Sequence, residues 1–229
     1  MKLDTKEKVD QFESILGQYL RKKGDHPLPY IPLARVFEIS QERESFRLFY
    51  AALDLKINLC YLGLDLKDYC KGPSRGLEEL KGMTPLDNEV AFEIRADVHR
   101  ALSVYIFRYR AIWDKIFGFC ILLLAPERYS EFRDKKKGRK KKFLEIMKAV
   151  PVSNPDELSR VLDDLNVFEE RFRTPEAHDT GSLRKWTFIV GDFFTPESMD
   201  LIFYWNMLIR TLDSITKAYL SNNGLETTP

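Results

Sequence analysis

The sequence predicts an all-α protein, an antiparallel bundle of long helices, and three observations predict it. Apolar side chains recur at steps of three and four along most of the 229 residues. Proline and glycine gather in a few short stretches between these periodic segments. A single stretch, RKWTFIVGDFF at 184–194, is β-branched and aromatic enough to read as a short extended ribbon, and it reads equally well as a buried loop.

The elements follow in order. Residues 4–22 carry Val9, Phe12, Ile15, Leu16, Tyr19 and Leu20 at helical spacing, with Asp4 and Glu7 suited to the N-terminus and Gly24 to the end. HPLPYIPL, with prolines at 27, 29 and 32, is an extended linker. A second helix over 41–70 has Phe46, Tyr50, Leu53, Ile57, Cys60 and Leu64 as a bundle seam, and KGPSRGLEELKGMTP is expected to break it. The third opens near Leu86 or Asp87 and reaches Leu124, with Val98, Leu102, Tyr105, Tyr109, Ile112, Ile116 and Cys120 in one stripe. At 1.5 Å per residue it would be roughly 55 Å long, so a bend near Gly118 or an early break is expected.

A fourth helix, 156 to about 172, takes Asn154 as N-cap and Pro155 as its first residue and buries Leu158, Val161, Leu162, Leu165 and Phe168. The fifth starts at Thr195-Pro196-Glu197 and continues through Trp205, Leu212 and Tyr219. These elements read as a single helical domain over 1–229, interrupted by a basic, flexible loop at 128–142.

Lysine and arginine number 36 against 35 acidic residues, so any attraction to a polyanion must come from local clustering. The cluster is DKKKGRKKK at 134–142, where Lys135, Lys136, Lys137, Arg139, Lys140 and Lys141 could meet RNA phosphates, although the composition equally suits a solvated loop. Cys60, Cys70 and Cys120 form no Cys-x-x-Cys spacing, which points to a reducing, cytoplasmic setting. The first residues lack an apolar signal core. The longest apolar run, IFGFCILLLA, is about half of the ~20 residues that cross a bilayer, so no membrane association is expected. No glycine-rich phosphate loop, His-Glu-x-x-His pair or Gly-x-Ser-x-Gly elbow is present, and neither a cofactor nor a metal is expected.

RFRTPEAH at 171–178 is the segment that suggests chemistry. With Thr174 as N-cap and Pro175 first in the helix, Arg173 and His178 would occupy the two positions that touch across a helix start. Unpaired amides there, joined by guanidinium and imidazole, would suit a phosphodiester. The competing reading is an ordinary capped helix start, and Arg21 with His26 repeats the spacing without that context. His99 reads as a rim histidine, Arg110 and Asp114 as a surface ion pair, and Arg171, Arg184 and Lys185 as flanking cations that could contact RNA or simply be solvated.

Arg173 and His178, four residues between them, resemble the Arg-x4-6-His motif of the HEPN (higher eukaryotes and prokaryotes nucleotide-binding) superfamily of helical bundles. RAIWDKIFGF at 110–119 is similar to an Arg-x-x-x-Asp-Lys pattern on a preceding long helix of some bacterial members. The resemblance implies a metal-independent endoribonuclease of toxin or defence type. Two Arg173/His178 pairs would meet in a homodimer cleft, Arg173 on the scissile phosphate and His178 assisting the ribose 2′-hydroxyl or protonating the leaving oxygen. A small antitoxin or other partner protein would go with such a role. The alternative is a non-catalytic RNA- or protein-binding module of the same fold, and a weaker third is a bundle holding a small molecule.

Overall fold

A computed structural model describes residues 5–20, 45–79, 89–150, 154–178 and 200–224. All regular structure among them is helical, so the fold class is all-α as the sequence predicts. The helices are α1 (Lys6–Leu20), α2 (Phe46–Glu79), α3 (Glu89–Leu124), α4 (Tyr129–Arg133), α5 (Arg139–Lys148), α6 (Pro155–Phe168), α7 (Thr174–His178) and α8 (Leu201–Asn222). A 3-10 turn, Pro126–Arg128, precedes α4, and a π-helical turn, Glu169–Arg173, joins α6 to α7. The expected ribbon at 184–194, with Arg184 and Lys185, lies outside the described residues, as do Asp4, the proline linker, and the Thr195-Pro196-Glu197 start.

Side chains of Ser/Thr/Asn/Asp type begin three of these helices. The Lys8 amide donates to Thr5 Oγ1 at 3.3 Å, the Glu157 amide to Asn154 Oδ1 at 3.2 Å and the Phe203 amide to Asp200 Oδ1 at 2.9 Å. Each satisfies an amide that the first helical turn leaves without a partner. Asn154 and Pro155 act as their sequence predicts.

The chain divides into two compact units. One comprises Met1–Leu28, Cys60–Arg110 and Phe168–Tyr204, the other Pro29–Leu59, Ala111–Val167 and Trp205–Pro229. In the first, Tyr109, Phe168, Phe172 and Tyr204 form an aromatic core, with Phe168 4.6 Å from Tyr109 and 4.8 Å from Tyr204 between ring centres. The buried Tyr109 hydroxyl donates to the Tyr204 carbonyl at 2.9 Å, which removes the cost of enclosing that polar group. In the second, Phe117 stacks on Phe143 at 4.5 Å, and Trp113, Phe132, Ile146 and Met147 are buried.

The seam expected on α2 is corrected. Phe46, Tyr50, Ile57 and Leu64 are exposed, and the buried face is Leu48, Ala52, Leu55, Leu59, Leu62, Leu66 and Tyr69. Both sets step by three and four, so periodicity alone allows either face inward. The buried set is mostly leucine, with Ala52 and Tyr69. The seven stripe residues expected on α3, Val98 through Cys120, are all buried.

The expected break at KGPSRG is also corrected, since α2 continues through Gly72, Pro73 and Gly76 to Glu79. A proline inside a helix carries a local cost, a lost backbone donor and crowding of the preceding turn, and the helical run nevertheless continues past it. Gly72 has a packing role: a Cβ there would stand 2.5 Å from Val98 Cγ2, so the absence of a side chain lets α2 approach α3 closely. Gly118 likewise interrupts nothing. It is buried within a continuous α3, facing the rings of Tyr129 and Phe132.

Candidate functional sites

The helix start expected at Thr174 is not there. Helical structure runs without interruption from Pro155 to His178, and Thr174 has helical dihedrals of −68° and −48°. Its amide donates to the Glu169 carbonyl, five residues back, so it is not an open amide awaiting an anion. The apolar stripe explains the continuity, because Leu158, Leu162, Leu165, Phe168 and Phe172 are buried along one face. The π turn ends two residues before Pro175 and contains residue 171, whose carbonyl a proline ring at 175 would crowd in a regular α-helix.

Arg173 and His178 consequently share one helical run, about 140° apart around its axis at 100° per residue. His178 is exposed and Arg173 half-buried, and neither makes a hydrogen bond or ion pair with another described side chain. Arg171 is exposed nearby.

The same segment turns a different residue inward. Glu176, with a side chain only 6% exposed, places Oε1 3.3 Å from Nε2 of His99 on α3. Glu169, seven residues earlier, joins Arg110, eleven residues beyond His99. The two spacings bring both pairs onto facing sides of antiparallel helices. His99 is thus half-buried and paired rather than a bare rim histidine, and Arg110 reaches across to another helix rather than only along its own. Arg95, one turn before His99, is almost fully buried, and burial draws its pKa below the usual arginine value. Sequence reading missed Glu169 and Glu176, since pairing across helices is set by packing and has no local spacing signal.

The basic run is divided by structure and by partner. Residues 129–133 and 139–148 are helical, which leaves 134–138 as the non-helical part of the expected loop at 128–142. Gly138 has φ of 71°, a left-handed turn that opens α5 without strain. Lys142 reaches Glu131 at 2.7 Å and Glu145 at 2.8 Å, Arg128 joins the same Glu131 at 2.9 Å, and Lys140 donates to Asn166 Oδ1 at 2.5 Å. Hydrogen bonds from Arg128 and then Lys142 hold the Glu131 carboxyl down at about 2. Lys135, Lys136, Lys137 and Lys141 are exposed and have no carboxylate partner among the described residues.

Among the described residues, no group of three or more His, Cys, Asp or Glu side chains is arranged to hold a metal ion, and no helix is long and apolar enough to cross a membrane. The chain matches no family model, no curated protein and no solved structure. The class that fold and surface define is an all-helical module of bundle type.

Proposed function

We propose that this protein is a non-catalytic helical module that binds RNA through the basic segment at 135–141. One observation carries the reading: Lys135, Lys136, Lys137 and Lys141 lie within seven residues, face solvent and are not neutralised by a described carboxylate. Such cations displace condensed counterions from a polynucleotide, which gives binding without base specificity. Arg139 and Lys140 extend the same segment.

The test is fluorescence anisotropy with a labelled RNA across a salt series. Changing the four lysines to alanine is expected to lower affinity roughly a hundredfold at low salt and to flatten the log–log salt slope by about 0.7 for each phosphate no longer neutralised. Unchanged affinity and slope would end this reading.

A second reading keeps the HEPN resemblance: metal-independent RNA cleavage by Arg173 and His178 in a homodimer of toxin or defence type, with Arg171, Arg184 and Lys185 holding flanking phosphates. It is supported by the exposure of His178 and by the lack of a described partner for either side chain. The first unit also carries exposed Tyr61, Leu64 and Phe107, each more than 40% accessible, beside the Arg108–Asp65 pair, a surface that a second copy could cover. RNA cleavage in EDTA that disappears in His178→Ala, together with conversion to monomer in Phe107→Glu by sedimentation, would support this reading. Cleavage persisting in purified His178→Ala would remove it.

A further inference from the structure

The second unit contains an open groove of about 740 Å³, within the range of sites that accept small organic groups. α2 lines it with Phe46, Arg47 and Tyr50, α3 with Asp114, Lys115 and Gly118, and α4 with Tyr129 and Phe132, while Arg139 opens α5. Three features distinguish it from an ordinary surface cleft.

The first is aromatic exposure. Phe46 is 72% and Tyr50 63% accessible, an unusual state for large rings one helical turn apart on one face. The second is uncommitted positive charge. Lys115 is taken by Asp54 at 2.5 Å and Arg133 by Asp134 at 2.9 Å, whereas Arg47 and Arg139 have no described carboxylate partner. The Arg139 guanidinium lies 4.7 Å from the centre of the Phe132 ring, and its buried Nε donates to no acceptor. The third is chain continuity, because Arg133 and Arg139 both line the groove and bracket Lys135, Lys136 and Lys137.

We infer that this groove is a single-strand subsite, in which an unpaired nucleobase of RNA stacks on Phe46 and Tyr50 while its phosphates meet Arg47, Arg139 and the bracketed lysines. Exposed rings offer a face to any base, and a cationic track beside them is the combination that non-specific single-strand binders use. A paired duplex keeps its bases stacked inside and cannot use the rings, so the site selects single strands. This inference rests on the RNA-binding reading above and adds to it the kind of strand recognised.

The experiment compares a fluorescein-labelled oligouridylate of about twelve nucleotides with an RNA duplex of similar length. Phe46→Ala with Tyr50→Ala is expected to weaken oligouridylate binding roughly tenfold or more and to leave duplex binding unchanged, while Tyr50→Phe retains the wild-type value. Both side chains are exposed, so the double variant is expected to melt at the wild-type temperature, and single variants serve as a second measurement if it does not. Equal single- and double-strand affinity, insensitive to the ring variants but abolished with the lysines, overturns the groove and leaves the basic segment standing. If neither RNA binds, both readings are overturned. Binding of poly-glutamate with the same dependence on Phe46 and Tyr50 overturns the inference by assigning the groove to acidic protein segments.

Discussion

Two sets of basic residues in this protein have opposite fates. His99 and Arg110 lie half-buried on α3, facing Glu176 and Glu169 from a neighbouring helix, whereas Lys135, Lys136, Lys137 and Lys141 project into solvent facing no described carboxylate. In the first set the side chains are engaged between helices. In the second the charge is left for something outside the chain. A basic residue's availability therefore depends on its partner and not on the density of charge around it in sequence. Lys142 shows this within one run, since it is as basic as its neighbours and yet is held between Glu131 and Glu145.

Several substitutions would break this contrast or sharpen it. The largest effect belongs to the solvent-facing set: alanine at 135, 136, 137 and 141 is expected to cost roughly two orders of magnitude in RNA affinity with no change in melting temperature. A drop in melting temperature of several degrees would mean that those lysines also support the fold.

Glu169→Gln should behave in the opposite way. It leaves Arg110 half-buried against a neutral amide, at a cost of about 1–3 kcal/mol, while RNA binding is retained. Thermal unfolding checks this at about 2–4 °C per kcal/mol for a chain of this size. A wild-type melting curve would show that the pair contributes nothing.

Lys142→Ala sharpens the contrast inside the basic run. It is expected to reduce RNA affinity far less than Lys136→Ala, and to leave the melting temperature close to wild type because its partners are largely solvated. Equal reductions in affinity from the two variants would erase the distinction between held and free lysines.

The smallest effect is a titration. The Glu131 carboxyl, lowered to about 2 by Arg128 and Lys142, contributes stability that is fully present above the ordinary carboxylate pKa of 4.5. That contribution disappears as pH falls from about 4.5 through 2. NMR observation of the Glu131 side chain in wild type and Lys142→Ala should show the midpoint rising toward its ordinary value in the variant.

Much of the fold was legible in the residues, and two failures are instructive. On α3 the stripe from Val98 to Cys120 leaves no doubt about the buried face, because the expected positions all lie in the core. On α2 two faces carry apolar side chains at the same spacing, and the one with Phe46, Tyr50, Ile57 and Leu64 is exposed. A pattern that is hydrophobic on two sides does not say which side meets the neighbouring helix. The second failure is RTPEAH, which has the composition of a helix start but lies in the interior of a longer helical run. Local capping chemistry was overruled by the apolar stripe from Leu158 to Phe172, with a π turn taking up the mismatch at Pro175.

The sequence by itself determined that the chain is helical, that Asn154 and Pro155 begin a helix, and that a dense run of cations follows α4. These are properties of short-range spacing and backbone preference, which neighbouring residues settle among themselves. Only the tertiary structure decided that Glu176 and not His178 turns inward, that Arg110 meets Glu169, and that Phe46, Tyr50 and Arg139 line one groove. Those outcomes depend on which helices face each other and at what register. That choice is made by burial summed over whole helix faces, a quantity no short motif contains.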